Sequence, residues 1–238
     1  MKLIIDILLV AIVVMCAWGG YRKGVIAGVA GILAVVISLL AGMMLSEAYS
    51  SEVIPALEPF VNGYIDSTDS REYVLDKMGF GDSDKSLNDI LTEDTSLKYD
   101  YAYECMKLVG FYDDRAEDFA RRSVNRATES NISMTDAIVD VICETVTYVG
   151  TLTIGFLLIL ILMVAVANVF NLSMRLPNME NFDELGGLAL GFAKGFLYCI
   201  LLCWLLSFLG LIVGRETIGE TTMAQFFLTF DFVTKGLM

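Results

Sequence analysis

The chain has 238 residues, 56% of them hydrophobic, with a mean hydropathy of +0.64 and a formal net charge of -13. That apolar share exceeds the usual share of a soluble domain. The absence of histidine excludes His-based catalytic triads and His-containing zinc sites. The charge is localised. Ser46 to Val149 holds nine Lys/Arg against 22 Asp/Glu, and the remainder carries seven of each. So acidic a segment does not attract nucleic acid or anionic headgroups.

The first apolar run is Leu3 to Trp18, followed by Gly19-Gly20-Tyr21-Arg22-Lys23 and a second run, Gly24 to Leu45. A bilayer core needs roughly 20 apolar residues of helix. The second run meets that length without a charge. The first carries Asp6 and needs Gly19 and Gly20 to span. Backbone groups in lipid must be satisfied internally, so residues 1–45 are expected to form a transmembrane helical hairpin. Lys2 alone makes a weak signal-peptide n-region and no A-x-A site follows, so the first helix is read as retained.

Residues 46–145 form the acidic segment. Pro55 and Pro59 mark Ser46 to Val61 as an exit piece. Gly79 to Asp84 is a loop signal. Tyr73, Val74, Met78, Leu87, Ile90 and Leu91 give short helical spacings. Tyr101 to Arg126 reads as one surface helix, its stripe running through Phe111, Phe119, Ala120 and Val124. Asp82-Ser83-Asp84 begins a calcium-loop spacing, but the central Gly and terminal Glu do not follow. Of five cysteines only Cys105 lies in this segment away from the apolar runs, where it is expected to be accessible. Cys16, Cys143, Cys199 and Cys203 lie in or beside apolar runs and read as small buried residues. A further helix builds from Thr135.

The third run, Val146 to Phe170, is long enough to span with some tilt. Lys23-Gly24 and Lys194-Gly195 both precede long apolar runs. Aligning them places the fourth span at Gly195 to Val213, with 171–194 as a connection and Asp183 to Ala193 as an interfacial or re-entrant piece. Lys194 then snorkels at a boundary. The tail, 214–238, groups Met223, Phe226, Phe227, Phe230 and Val233 as an amphipathic interfacial helix. Arg22 and Lys23 place the first connection in the cytoplasm, which puts residues 46–145 outside. The expected fold is all-α: a polytopic membrane protein of four transmembrane helices in two hairpins (1–45 and 146–213). A mainly helical polar domain lies between helices 2 and 3.

Two glycine ladders stand out, Gly20, Gly24, Gly28 and Gly187, Gly191, Gly195. Small residues four apart let helix backbones approach closely. Asp6, Lys23, Asp183 and Lys194 are candidate functional polar residues, because charges within spans are costly unless used. The simpler alternatives are an i,i+4 pair of Asp6 with Lys2, and Asp183 and Lys194 pairing or facing water at the cytoplasmic side. No nucleophile–base pair, phosphate-binding loop or metal-ligand spacing appears, so no catalytic residue, metal or cofactor is expected.

The stretch IDILLVAIVVMCAWGGYRKGVIAGVAGI, Ile5 to Ile32, resembles the amino-terminal signature of the colicin V production protein (CvpA) family: an early Asp in an apolar helix, then a basic residue followed by Gly. Asp6, Lys23 and Gly24 occupy those places. MENFDELGGLALGFAKGFLYCILL, Met179 to Leu202, is similar to the second signature, with Asp183, Leu185, Gly186, Lys194 and Gly195 matching. The resemblance covers roughly residues 1–45 and 146–235. Lys stands where Arg is commoner before each Gly, Glu184 stands where a basic residue is frequent, and the insert from about Glu52 to Val141 is enlarged. It implies a four-helix bacterial inner-membrane protein associated with colicin V or toxin production or export and envelope homeostasis; the glycine ladders and the lack of a catalytic constellation make a non-enzymatic role through helix–helix contacts the expectation. Expected partners are membrane lipid and a second copy or other membrane proteins, not nucleic acid. The alternative is a small oligomeric transporter or channel, suggested by the hairpin repeat with Asp6 and Lys194.

Overall fold

The computed structural model describes residues 2–81, 87, 90–91, 96–169, 180–208 and 226–227. The elements among the described residues are all helices, in the order α1 (Lys2–Ile65), α2 (Thr68–Lys77), α3 (Leu97–Val109), α4 (Asp113–Ser130), α5 (Met134–Val169) and α6 (Glu180–Leu206). Among the described residues, three helices are long and apolar enough to cross a membrane, within Ile5–Ile65, Met134–Asn168 and Phe182–Leu206. The chain divides into two compact units. Unit 1 comprises 1–48, 150–206 and 216–238, and unit 2 comprises 49–149 and 207–215. The division falls inside α1 and inside α5.

In unit 1, α1 is broken at one residue. Gly24 has φ 84 and ψ 178, a left-handed-side conformation open to glycine at little cost. Contacts with α6 give the direction of each segment. Before the break, Leu9, Val13, Cys16 and Gly20 meet Cys199, Gly195, Gly191 and Gly187 in turn, an antiparallel order. After it, Gly28 and Gly31 meet Leu190 and Lys194, a parallel order. The chain therefore turns back at Gly24. The second segment then runs antiparallel to α5, with Gly42 against Leu152 and Phe156 and the Ser46 and Thr151 hydroxyls 2.8 Å apart.

Two boundaries differ from the sequence expectation. Pro55 and Pro59 lie within α1 instead of ending it. Each proline removes an N–H, which strips the carbonyls of Ser51 and Pro55 of their helical donors. Ser51, Pro55 and Pro59 are all exposed and four apart, so the freed carbonyls share an outward face. The last long helix begins at Glu180, not Gly195. Asp183 to Ala193 is therefore regular helix, and Lys194 stands near the middle of the apolar stretch Phe182–Leu206 instead of at its edge. Residues 209–213, the end of the expected fourth span, lie outside the described residues.

Unit 2 packs around Tyr101, Met106, Phe111, Phe119, Ile138 and Ile142, joined by Ile65, Val74 and Leu91. Phe111 and Phe119 meet edge to face at 5.1 Å, a favoured aromatic geometry. The single helix expected over Tyr101 to Arg126 is two. Gly110, at φ 101, takes the left-handed C-cap of α3, and its N–H donates to the Lys107 and Met106 carbonyls. α4 then carries the apolar stripe inward, burying Ala116, Phe119, Ala120 and Ser123. Outside the core, Arg126 bonds Glu144 at 2.9 Å and Lys107 pairs with Asp113. These pairs are partly exposed to solvent and add little stability. α5 begins at Met134 with the Ser133 hydroxyl accepting from Asp136 N–H at 3.0 Å. The Asp82-Ser83-Asp84 stretch lies outside the described residues.

Cys105 corrects the sequence expectation of an accessible thiol, being 1% exposed. Its i+1 and i-3 neighbours in the core, Met106 and Ala102, are fully enclosed. Burial pushes its thiol from the usual 9.0 up to about 12. Burial and the nearby Asp113 also raise the Tyr103 hydroxyl to about 12. Groups that hold their protons more tightly when folded leave stability intact below their unfolded pKa and remove it above. Stability of unit 2 is therefore expected to decline as pH rises from about 9 towards 12. A variant of the full chain retaining only Cys105 is expected to resist maleimide in detergent at pH 8 and to react once denatured. Equal rates in both states would contradict the packing.

Candidate functional site

The residues of interest gather where α1 turns back. The second segment of α1 begins at Gly24 and Val25 without a local Ser, Thr, Asp or Asn cap, so its first N–H groups need an outside acceptor. Asp183 supplies one: Val25 N–H donates to its Oδ1 at 2.9 Å. Asp183 is only 2% exposed. A carboxylate at a helix start also suits the positive end of the helix dipole. Its neighbour Glu184 accepts from the Tyr21 hydroxyl at 2.9 Å. Consecutive acids of α6 thus hold both sides of the turn.

Glycine makes the approach possible. A methyl group at Gly20 would run into the Gly187 carbonyl and come within 2.8 Å of Gly191 Cα. One at Gly187 would lie 3.0 Å from Gly24 Cα, and one at Gly195 2.9 Å from Val13 Cα. At Gly24 it would meet the Asp183 carboxyl carbon at 2.7 Å. The two ladders therefore face each other within one chain. They do not line a continuous face each, because Gly28 lies beyond the break and meets Leu190.

Beside this joint is a cavity of about 260 Å³. Both segments of α1 contribute small residues, among them Cys16, Ala27 and Gly31, while Asn168 comes from α5. Lys23 and Lys194 supply its charge. The Lys194 ammonium lies over Gly31, where an added methyl would approach Nζ to 3.2 Å, and 5.4 Å from the centre of the Tyr198 ring. Among the described residues no carboxylate lies within ion-pair distance of Lys194 or Lys23. A lysine at the middle of a membrane helix costs about 2.5–3.5 kcal/mol on insertion scales, so its placement beside a cavity is chemically pointed.

Asp183 and Lys194 do not pair. Eleven residues of helix separate them by roughly 16 Å, and their partners differ. Lys23 is exposed at the turn. Asp6 is half-buried on the first segment, away from this joint in sequence, and the Lys2 side chain expected to pair with it lies outside the described residues. Of the tail only Phe226 and Phe227 are described. Phe227 is buried, with its ring 5.0 Å from that of Phe196 on α6.

Gly31 and Tyr21 were not singled out by sequence reasoning. The dense run of small residues in Ala27-Gly28-Val29-Ala30-Gly31 was the available signal for the cavity wall. Among the described residues no group of three or more His, Cys, Asp or Glu side chains is placed to hold a metal ion. The chain matches no family model, and neither a similar curated protein nor a similar solved structure is found.

Proposed function

We propose that the chain is a four-span, non-enzymatic protein of a bacterial cytoplasmic membrane, akin to the colicin V production protein family. In this reading it supports toxin production or export and envelope homeostasis through helix–helix and partner contacts. One observation carries the reading. The two stretches that resemble that family's signatures, far apart in sequence, meet at a single joint, where Asp183 caps Val25 and the ladders interlock. Their residues serve packing and capping. The reversal at Gly24 lets α1 supply two spans, and α5 and α6 supply the others. Because the ladders are occupied within the chain, partner contact falls to outward apolar faces such as Ile154, Leu158 and Ile161 of α5.

Photocrosslinking in cells from those three positions is expected to capture a heterologous membrane protein. Failure to capture any protein at all three would contradict the partner role. Solute flux in liposomes that depended on Lys194 would favour the small oligomeric transporter instead. The proposed orientation predicts that cysteine at exposed position 72, introduced as Glu72→Cys into a chain without its own cysteines, reacts with an impermeant thiol reagent in intact cells. Reaction only after permeabilisation would reverse the topology.

A further inference from the structure

We infer that the cavity between the two segments of α1, α5 and α6 binds the phosphate headgroup of an anionic lipid, held between Lys23 and Lys194. The inference uses the membrane-spanning reading of unit 1 and is independent of any protein partner.

Charge is the first argument. The cavity is lined by two lysines and no carboxylate, and neither lysine has an acidic partner among the described residues. A cation in a membrane helix without an internal counter-charge calls for an anion from outside the chain.

Position is the second. Lys23 sits at the turn, where the helices of unit 1 reach the end of their apolar stretch. Lys194 lies deeper on α6. Helical side chains lean towards the amino terminus of their helix, and for α6 that is the end at which Asp183 meets Gly24. The ammonium groups thus reach one cavity from the surface and from the interior. Gly31, without a side chain, leaves room for the deeper one.

The walls decide between a lipid and a free anion. Ala27, Ala34, Met163 and Val164 are apolar and belong to helices long and apolar enough to cross a membrane. They suit the glycerol and first methylenes of a lipid, whereas inorganic phosphate has nothing to place there. About 260 Å³ is somewhat below the range of drug-sized pockets, a headgroup-scale volume. Basic pockets between transmembrane helices are a recurring means of holding anionic headgroups.

The test is native mass spectrometry of the full chain released from detergent, with phosphatidylglycerol, phosphatidylcholine and inorganic phosphate as separate probes. One phosphatidylglycerol per chain is expected to be retained, and phosphatidylcholine much less. Lys194→Met and Lys23→Met should each weaken retention about five- to tenfold, the scale of one basic residue acting on an anionic lipid. Lys194→Arg should keep it. Lys23 is exposed at the turn, so Lys23→Met carries the test if Lys194→Met does not fold. Equal retention of both lipids, or retention unchanged in the methionine variants, would overturn the inference. Inorganic phosphate that displaced phosphatidylglycerol at equal concentration would overturn the lipid source.

Discussion

Gly20→Ala and Gly191→Ala are each expected to disrupt the folded membrane unit, whereas Gly19→Ala leaves it intact. A methyl at Gly20 meets the Gly187 carbonyl and the Gly191 backbone, and one at Gly191 meets the Cys16 carbonyl and lies 3.0 Å from Ala17 Cα. The opposing atoms are backbone, so no rotamer change relieves the clash and the helices must separate. Overpacking of this kind costs about 1–3 kcal/mol per site, and backbone opposition puts these sites at the upper end. Gly19 has nothing within 4 Å of an added methyl. There alanine gains helix propensity worth up to about 1 kcal/mol. Thermal unfolding in detergent separates the cases. A Gly20→Ala protein as stable as wild type would remove the interlocked ladder from the account.

Asp183→Ala is the second large effect. It leaves the Val25 N–H without its acceptor at a site where Asp183 is almost fully enclosed. An unsatisfied buried donor costs about 1–3 kcal/mol, and the favourable charge at the helix start is lost as well. Asp183→Asn keeps an acceptor oxygen and should lose less. Unfolding midpoints ordered wild type, Asn, Ala are expected. If Ala and wild type coincide, the carboxylate is not holding the turn.

Much of unit 1 was legible in the sequence because its signals are local. The two basic-Gly pairs, the apolar runs and the glycine spacings can all be counted along the chain. The partner of each could not be counted. Asp183 reads as a loop acid by composition, and its burial against Val25 depends on a contact 158 residues away. Lys194 reads as a boundary, which sets the expected start of the last span later than the helix begins. A charge inside a span is disfavoured in isolation, but Gly31 and the cavity give it space. In unit 2 the apolar stripe is legible from spacing, with Phe111, Phe119 and Ala120 buried, but one glycine, Gly110, divides what periodicity reads as a single helix. The burial of Cys105 is not legible from its neighbours, because acidic surroundings in sequence say little about which side of a helix faces the core.

The reversal at Gly24 is the central claim, and a distance between spin labels at Ile7 and Leu40 tests it most directly. Both side chains are exposed, at 59% and 57%, so labels should not disturb packing. The two positions lie nearly equally far from Gly24 along the chain, so a turned-back α1 brings them to the same level. Adjacent helix axes are about 8–10 Å apart, so with the labels added the separation is expected to stay below roughly 30 Å. A helix continuing straight through Gly24 would separate them by roughly 50 Å at 1.5 Å per residue. A distribution centred near that longer distance would contradict the account.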